Sequence, residues 1–322
     1  MQSVLVLLGR YARWALPAGV FAGILFPSAA ALFRPLLAAA VIGTITIVLM
    51  RLDWRRLAAF ATQPLLPVAL LAWQLVVSPL LVWLATGALG LEANERVALL
   101  LQSSAPPIGS VAVFALILGL DGVLAMVGTV ATTMLLPLTV TPIVGTLLPD
   151  AGIEIDLAAF FMRVTTLVCL PFLIAAIARR LLGAARLARN DEVLGGLNVV
   201  VLVIFALAVM DGVTARLLAD PVLVVRLLLL SIAMAIVLHL SGWLLFRRAG
   251  VGPAYTAALV SGNRNMGLML IITAGTAGEV FSLYVGVAQI PMYFAPLLLT
   301  PLVRLSQRRE LLPAMKHTGP RP

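Results

Sequence analysis

The stretch Ser261-Gly262-Asn263-Arg264-Asn265-Met266-Gly267 lies inside an apolar run from Pro253 to Ala274. That run has the ~20 residues a helix needs to cross ~30 Å of hydrocarbon. At ~1.5 Å per helical residue from Pro253, Asn263 sits about 15 Å deep, near the midplane. A membrane helix should be most apolar there, yet this one carries two carboxamides, a guanidinium and two glycines. An arginine at the centre of a spanning helix costs roughly 2.5–3.5 kcal/mol on insertion scales. A polar helix–helix contact with Arg264 snorkelling to the surface is one reading, but neither interface is near. The other is a helix broken at the midplane to hold a polar ligand, as many secondary transporters are built.

The rest of the chain supports a bilayer setting. Of 322 residues, 62% are hydrophobic and 11% charged, against ~25% charged in soluble domains. Long apolar runs recur, so the expected class is an all-α polytopic membrane protein. The ~10-residue alternating segments of a membrane β-barrel are missing. The one cysteine, Cys169, rules out a disulfide framework within the chain. Met1–Phe26 imitates a signal peptide, with Arg10 and Arg13, an apolar stretch and small residues after it. We expect it to be retained as the first span, because losing it would leave an odd span count.

Ten spans are expected, near 11–27, 34–50, 64–88, 94–118, 122–148, 157–181, 193–211, 221–246, 253–275 and 280–305. Residues 51–62, with Arg51, Asp53, Trp54, Arg55 and Arg56, read as an amphipathic surface connection. Residues 183–192 read as a basic linker, and the tail after Ser306 as basic, Pro-containing and without fixed structure. With ten spans, sixteen of the 22 Lys and Arg fall on one side, among them Arg10, Arg51, Arg179, Arg247 and Arg304. Five fall on the other: Arg34, Arg96, Arg163, Arg216 and Arg226. The positive-inside rule then puts both termini in the cytoplasm, and a bacterial inner membrane is the expected location. The net charge of +9 thus reads as topology and not as a nucleic-acid footprint.

An internal repeat organises the spans. Pro137–Val144 and Pro296–Val303 both read P-L-x-x-T-P-x-V, 159 residues apart. Five spans per copy is odd, so the second copy enters from the opposite side, an inverted-topology repeat. This divides the chain into 1–150, 151–306 and a tail, 307–322. Subtracting 159 from Asn265 lands on Pro106, within Gln102-Ser103-Ser104-Ala105-Pro106-Pro107-Ile108-Gly109-Ser110. Proline lacks an amide donor and clashes with the preceding turn, so Pro106 and Pro107 disrupt the fourth span near mid-depth. Gly109 and Ser110 allow a fresh start. A simple proline kink is the alternative; paired with the second break, two discontinuous, crossing helices are expected.

Each break creates a helix N-terminus carrying roughly half a positive charge and a C-terminus with free carbonyls. Together these suit an organic anion at the new N-termini and a cation among the carbonyls. Arg264 either meets the anion or fills the cation position.

These residues resemble the bile acid:sodium symporter family, within a larger group of ten-span bile, arsenite and riboflavin-type transporters. The carriers are the Ala105-Pro106-Pro107 break, Pro137–Val144, the Gly262–Leu268 break and Pro296–Val303. The resemblance implies a panel domain (11–50 plus 157–211) packed on a core domain (64–148 plus 221–305), with substrate in the crevice between them. It implies transport of a small or amphipathic organic anion by alternating access. Substrate contacts are then expected at Asn265, Gly267, Asn263, Gly109, Ser110 and, from the panel, Asn198. The cation site or its replacement is expected at Arg264, Ser261, Gln74, Thr132 and Thr133, with Pro106, Pro107 and Gly262 as helix breaks.

The departures bear on the coupling ion. Sodium-coupled members carry a glutamate shortly before the second break, where this chain has Ala258-Leu259-Val260-Ser261. Arg264 takes the place of a family glutamine, and Val111-Ala112 the place of a sodium-binding Ser-Asn pair. Sodium coupling is therefore doubted, and no other cofactor is expected. The arsenite branch has a cysteine where Ala105 stands. The expected partners are a small organic anion and membrane lipids, with no nucleic acid. A membrane sensor that kept the fold and lost transport is the competing class. His239 and Ser241 invite a hydrolase reading, but two residues apart on a helix they share no face. Asp121, Asp211 and Glu279 fall at span edges and read as solvated.

Overall fold

A computed structural model of the chain describes residues 2–52, 65–149, 156–273 and 276–316. The regular elements among the described residues are all helical, with one isolated antiparallel bridge, Pro107 to Arg264. The elements are α1 Gln2–Arg10, α2 Ala12–Leu25, α3 Pro27–Phe33, α4 Leu37–Arg51, α5 Leu65–Ala72, α6 Ser78–Ala88, α7 Ala93–Ser104, α8 Val111–Ile117 and α9 Gly122–Leu147. The second half continues with α10 Leu157–Leu182, α11 Ala184–Arg189, α12 Asp191–Ala208, α13 Val213–Ala219, α14 Pro221–Phe246, α15 Val251–Gly262, α16 Met266–Thr273 and α17 Gly278–Lys316. A π turn, Trp73–Val77, joins α5 to α6.

Among the described residues seven helical stretches are long and apolar enough to cross a membrane: Pro27–Arg51, Leu65–Ala88, Gly122–Leu147, Leu157–Leu182, Asp191–Ala219, Pro221–Ala249 and Gly278–Arg308. The protein is an integral membrane protein. Of the other three expected spans, 94–118 and 253–275 are each cut in two, as α7–α8 and α15–α16. The third, 11–27, is α2, whose apolar part is the shorter Trp14–Leu25.

Three boundaries differ from the sequence reading. The second span starts at Pro27 and not near 34, because proline at the first helical position needs no amide partner. The linker 183–192 contains α11. The segment after Ser306, expected without structure, continues α17 to Lys316. It is held there by Gln307 Nε2 donating to Gly119 O (3.2 Å) and by Val251 N donating to Glu310 Oε1 (3.2 Å). Residues 53–62 of the expected surface connection and 317–322 of the tail lie outside the described residues.

Two packing groups emerge. In one, α1, α2, α3 and α4 all pack on α12, and α10 packs on α4. In the other, α14 packs on α15 and α17, α6 on α7, and α9 on α8 and α15. The groups meet where α4 and α10 touch α16, where α10 touches α9 and where α2 touches α17. Pro137 and Pro142 lie inside the unbroken α9, so those repeat prolines do not break their helix. Asp121 caps α9, accepting from Val123 N and Leu124 N. A capping box, Glu92 with Glu95, starts α7. Glu95, 2% exposed, pairs with Arg226 of α14 at 2.6 Å, tying the outer ends of the two helices.

Candidate functional site

The two breaks lie face to face and complete each other's backbone. Ile108 N donates to Asn263 O (2.9 Å), and Asn265 N donates to Pro106 O (2.6 Å). A buried amide or carbonyl must be paired, and Pro106 and Pro107 have no amide to satisfy. The first break therefore demands few partners, and the second supplies them. Asn265 and Pro106 stand 159 residues apart, the offset of the repeat, as do Arg264 and Ala105.

Arg264 is 1% exposed. Its Nε donates to Ser261 O (2.7 Å), its Nη1 to Ala105 O (2.9 Å) and its Nη2 to Ser78 Oγ (3.4 Å). Ala105 follows α7 and Ser261 lies in the last turn of α15, so the guanidinium stands where two negative helix ends converge. In the described state three of its nitrogens are engaged by protein oxygens.

The surroundings of Arg264 come from the π turn, whose extra width re-aims α5–α6. Trp73 Nε1 donates to Ser261 Oγ (3.0 Å), which uses the Ser261 hydroxyl. Gln74, fully buried, has no partner for either amide atom. Thr132 Oγ1 donates to Gly128 O (2.5 Å) and Thr133 Oγ1 to Thr129 O (2.7 Å), so both are tied to their own helix and make no described bond to Arg264. Ser261 backs onto Gly242, whereas Val260 faces Gly128 of α9, one turn before Thr132. Val260, then, is the position from which an acid would reach the α9 threonines.

Gly109, Asn265 and Gly267 share one narrow crevice with Thr44 of α4, Phe205 of α12 and Gln289 of α17. Asn265 Oδ1 accepts from Leu268 N (3.0 Å), capping α16. Asn263 does not join them. Its Nδ2 donates to His239 Nε2 (3.2 Å) and Leu259 O (2.9 Å), which turns it toward α14. Asn198 is buried on α12, one turn before the crevice residue Leu202, with Oδ1 unpartnered; it does not line the crevice. Ser110 is buried beside Gly109, its hydroxyl also unpartnered. Gln289 was missed by the sequence reading. Its Nε2 donates to Val285 O (2.9 Å), and its buried Oε1 has no partner. A lone carboxamide inside the apolar run 280–305 was the available signal.

A cavity of about 360 Å³ leads from Gly109 to Arg51 and Asp191, between Val48 of α4 and Ala112, Val123 and Met126 of α8–α9. Arg51 Nε and Nη2 bond Asp191 at 2.7 and 2.8 Å at its mouth. Other contacts join the two packing groups. Arg163 Nη1 of α10 donates to Ile272 O of α16 (3.2 Å), Phe21 meets Phe294 edge-on, and Gly286 lies against Val209 O.

Two helices broken face to face inside an all-helical membrane bundle, with a crevice leading from the breaks to one side, define a protein of the secondary-transporter type. Residues 38–220, more than half of the chain, match the model of the Sodium Bile acid symporter family. The chain belongs to that family, and its members are transporters. The matched stretch contains the first break and stops before the second. No curated protein matches the chain.

Proposed function

We propose that this protein is a secondary transporter of a small or amphipathic organic anion, working by alternating access, in which the guanidinium of Arg264 replaces the coupling cation. The observation that carries this is the bonding of Arg264 to the terminal carbonyls of both broken helices. With that position filled by a fixed charge, the two half-helix N-termini and the side-chain NH2 of Asn265 remain for the substrate. The face-to-face pairing of residues 159 apart supports ten spans in a five-plus-five inverted repeat. The α1–α4 and α10–α12 group acts as panel and the α5–α9 and α14–α17 group as core, with the crevice between them. In the orientation proposed here, the cavity toward Arg51 opens to the cytoplasm.

The test is flux in proteoliposomes, with binding followed by thermal shift. Carboxylates and sulfonates should stabilise the protein and cross the membrane. A clear preference for amines would contradict the reading, and absence of flux under every imposed gradient would favour a sensor that kept the fold.

The orientation makes a separate prediction. Both termini should be cytoplasmic, in a bacterial inner membrane, with the loops near 90, 152, 215 and 278 on the other side. Single cysteines placed there in a Cys169→Ser background should react with an impermeant maleimide in intact cells. A C-terminal cysteine that reacts equally well would sink the ten-span topology.

A further inference from the structure

An apolar groove of about 640 Å³ lies behind the second break, on the side away from the crevice, between α14, α15 and α17. On α14 it runs from Ile232 to Trp243, about 16 Å at ~1.5 Å per residue, close to half of a ~30 Å hydrocarbon core. Ile236, Leu240 and Leu298 at its edges are more than half exposed, so it opens sideways to the bilayer. Its floor is His239. Asn263 Nδ2 donates to His239 Nε2 (3.2 Å), which leaves the hydrogen on Nδ1 for Ala235 O (2.7 Å). Both ring nitrogens are thus spent inside the protein, and the groove sees only the apolar face of the imidazole. Gly262 permits this approach, since a Cβ there would fall 1.9 Å from His239 Nδ1.

One end of the groove is different. Trp243 and Tyr255 lie 6.4 Å apart there, and Tyr255 Oη bonds Ser306 Oγ at 2.9 Å. Arg247 follows Trp243 by one turn, with Arg248 beside it; both are exposed, and neither pairs with a carboxylate among the described residues. Glu310, the acid at this end, is occupied by the Val251 amide. An apolar slot one leaflet long, an aromatic pair at interface depth and two free cations beyond it match an acyl chain, its ester region and an anionic headgroup.

We infer that the groove is a binding site for one anionic phospholipid, its phosphate on Arg247 and Arg248 and one acyl chain lying along α14 against His239. Because His239 positions Asn263, the bound chain supports the second break from behind. Assignment to the cytoplasmic leaflet rests on the orientation proposed above; the site itself does not.

Purified full-length protein in nanodiscs of equal phosphatidylglycerol and phosphatidylcholine, analysed by native mass spectrometry, tests this without using transport or orientation. One phosphatidylglycerol should be retained in preference to phosphatidylcholine, by roughly tenfold or more for two arginines. Arg247→Gln with Arg248→Gln should reduce that preference to near unity, and Leu298→Trp, which fills the slot, should remove the retained lipid altogether. Each variant should elute as the unmodified protein does on size exclusion; should the Leu298→Trp protein not fold, the surface arginine pair decides alone. Equal retention of the two lipids, retention unchanged by the arginine pair, or a dimer cross-linked through Leu298→Cys would overturn the inference.

Discussion

Uptake and substrate binding are expected to be the same, within about twofold, in sodium chloride and in choline chloride. The Arg264 guanidinium already occupies the meeting point of Ala105 O and Ser261 O. A sodium ion ~5 Å away at an effective dielectric of ~20 would be repelled by about 3 kcal/mol, roughly a hundredfold in affinity. The acid that would offset this is missing, since the residues before the break are Val260 and Ser261. Arg264→Gln should therefore abolish transport without creating sodium dependence. It strips donors from two buried carbonyls, at ~1–3 kcal/mol each. Sodium dependence should begin to return in Arg264→Gln with Val260→Glu. Ser261→Glu is the poorer partner, because the Ser261 hydroxyl is bonded to Trp73 and backs onto Gly242. A tenfold or greater sodium stimulation of the unmodified protein would show that Arg264 does not stand in for the ion.

The second large effect is expected at Gly267. A Cβ there would lie 2.3 Å from Phe205 Cε2 and 3.1 Å from Val41 Cγ2, across the seam between the two packing groups. Overpacking costs typically ~1–3 kcal/mol, and here it wedges the crevice apart. Gly267→Val should abolish ligand-induced thermal stabilisation while leaving a folded protein. Gly267→Ala should weaken it at least about tenfold, and adding Phe205→Ala should restore part of the loss, since residues in contact are not additive. Unchanged binding by Gly267→Val would move the substrate site away from the crevice. No recovery on removing Phe205 would place the defect elsewhere in α16.

The sequence by itself determined that the chain is a helical membrane protein, and where two of its helices break. Those are local properties. Hydropathy over ~20 residues sets a span, two adjacent prolines remove donors wherever they fall, and polar residues at mid-depth stand out against an apolar run. The offset of 159 located the first break from the second, and Asn265 N does bond Pro106 O. What the side chains do there was decided only by the tertiary structure. The partners of Arg264 could not be read from its neighbours in sequence, because one of its carbonyls comes from the end of α7, 159 residues away. Asn263 and Asn265 look equivalent in sequence, yet one caps α16 beside the crevice and the other bonds His239 on the far side. The hydroxyls of Thr132 and Thr133 are turned onto their own helix, and Gln289 enters the crevice as the one carboxamide of a mostly apolar run. The physical reason is the same in each case. A buried polar group takes whichever partner the packing brings within about 3 Å, and that partner belongs to another element, far away along the chain.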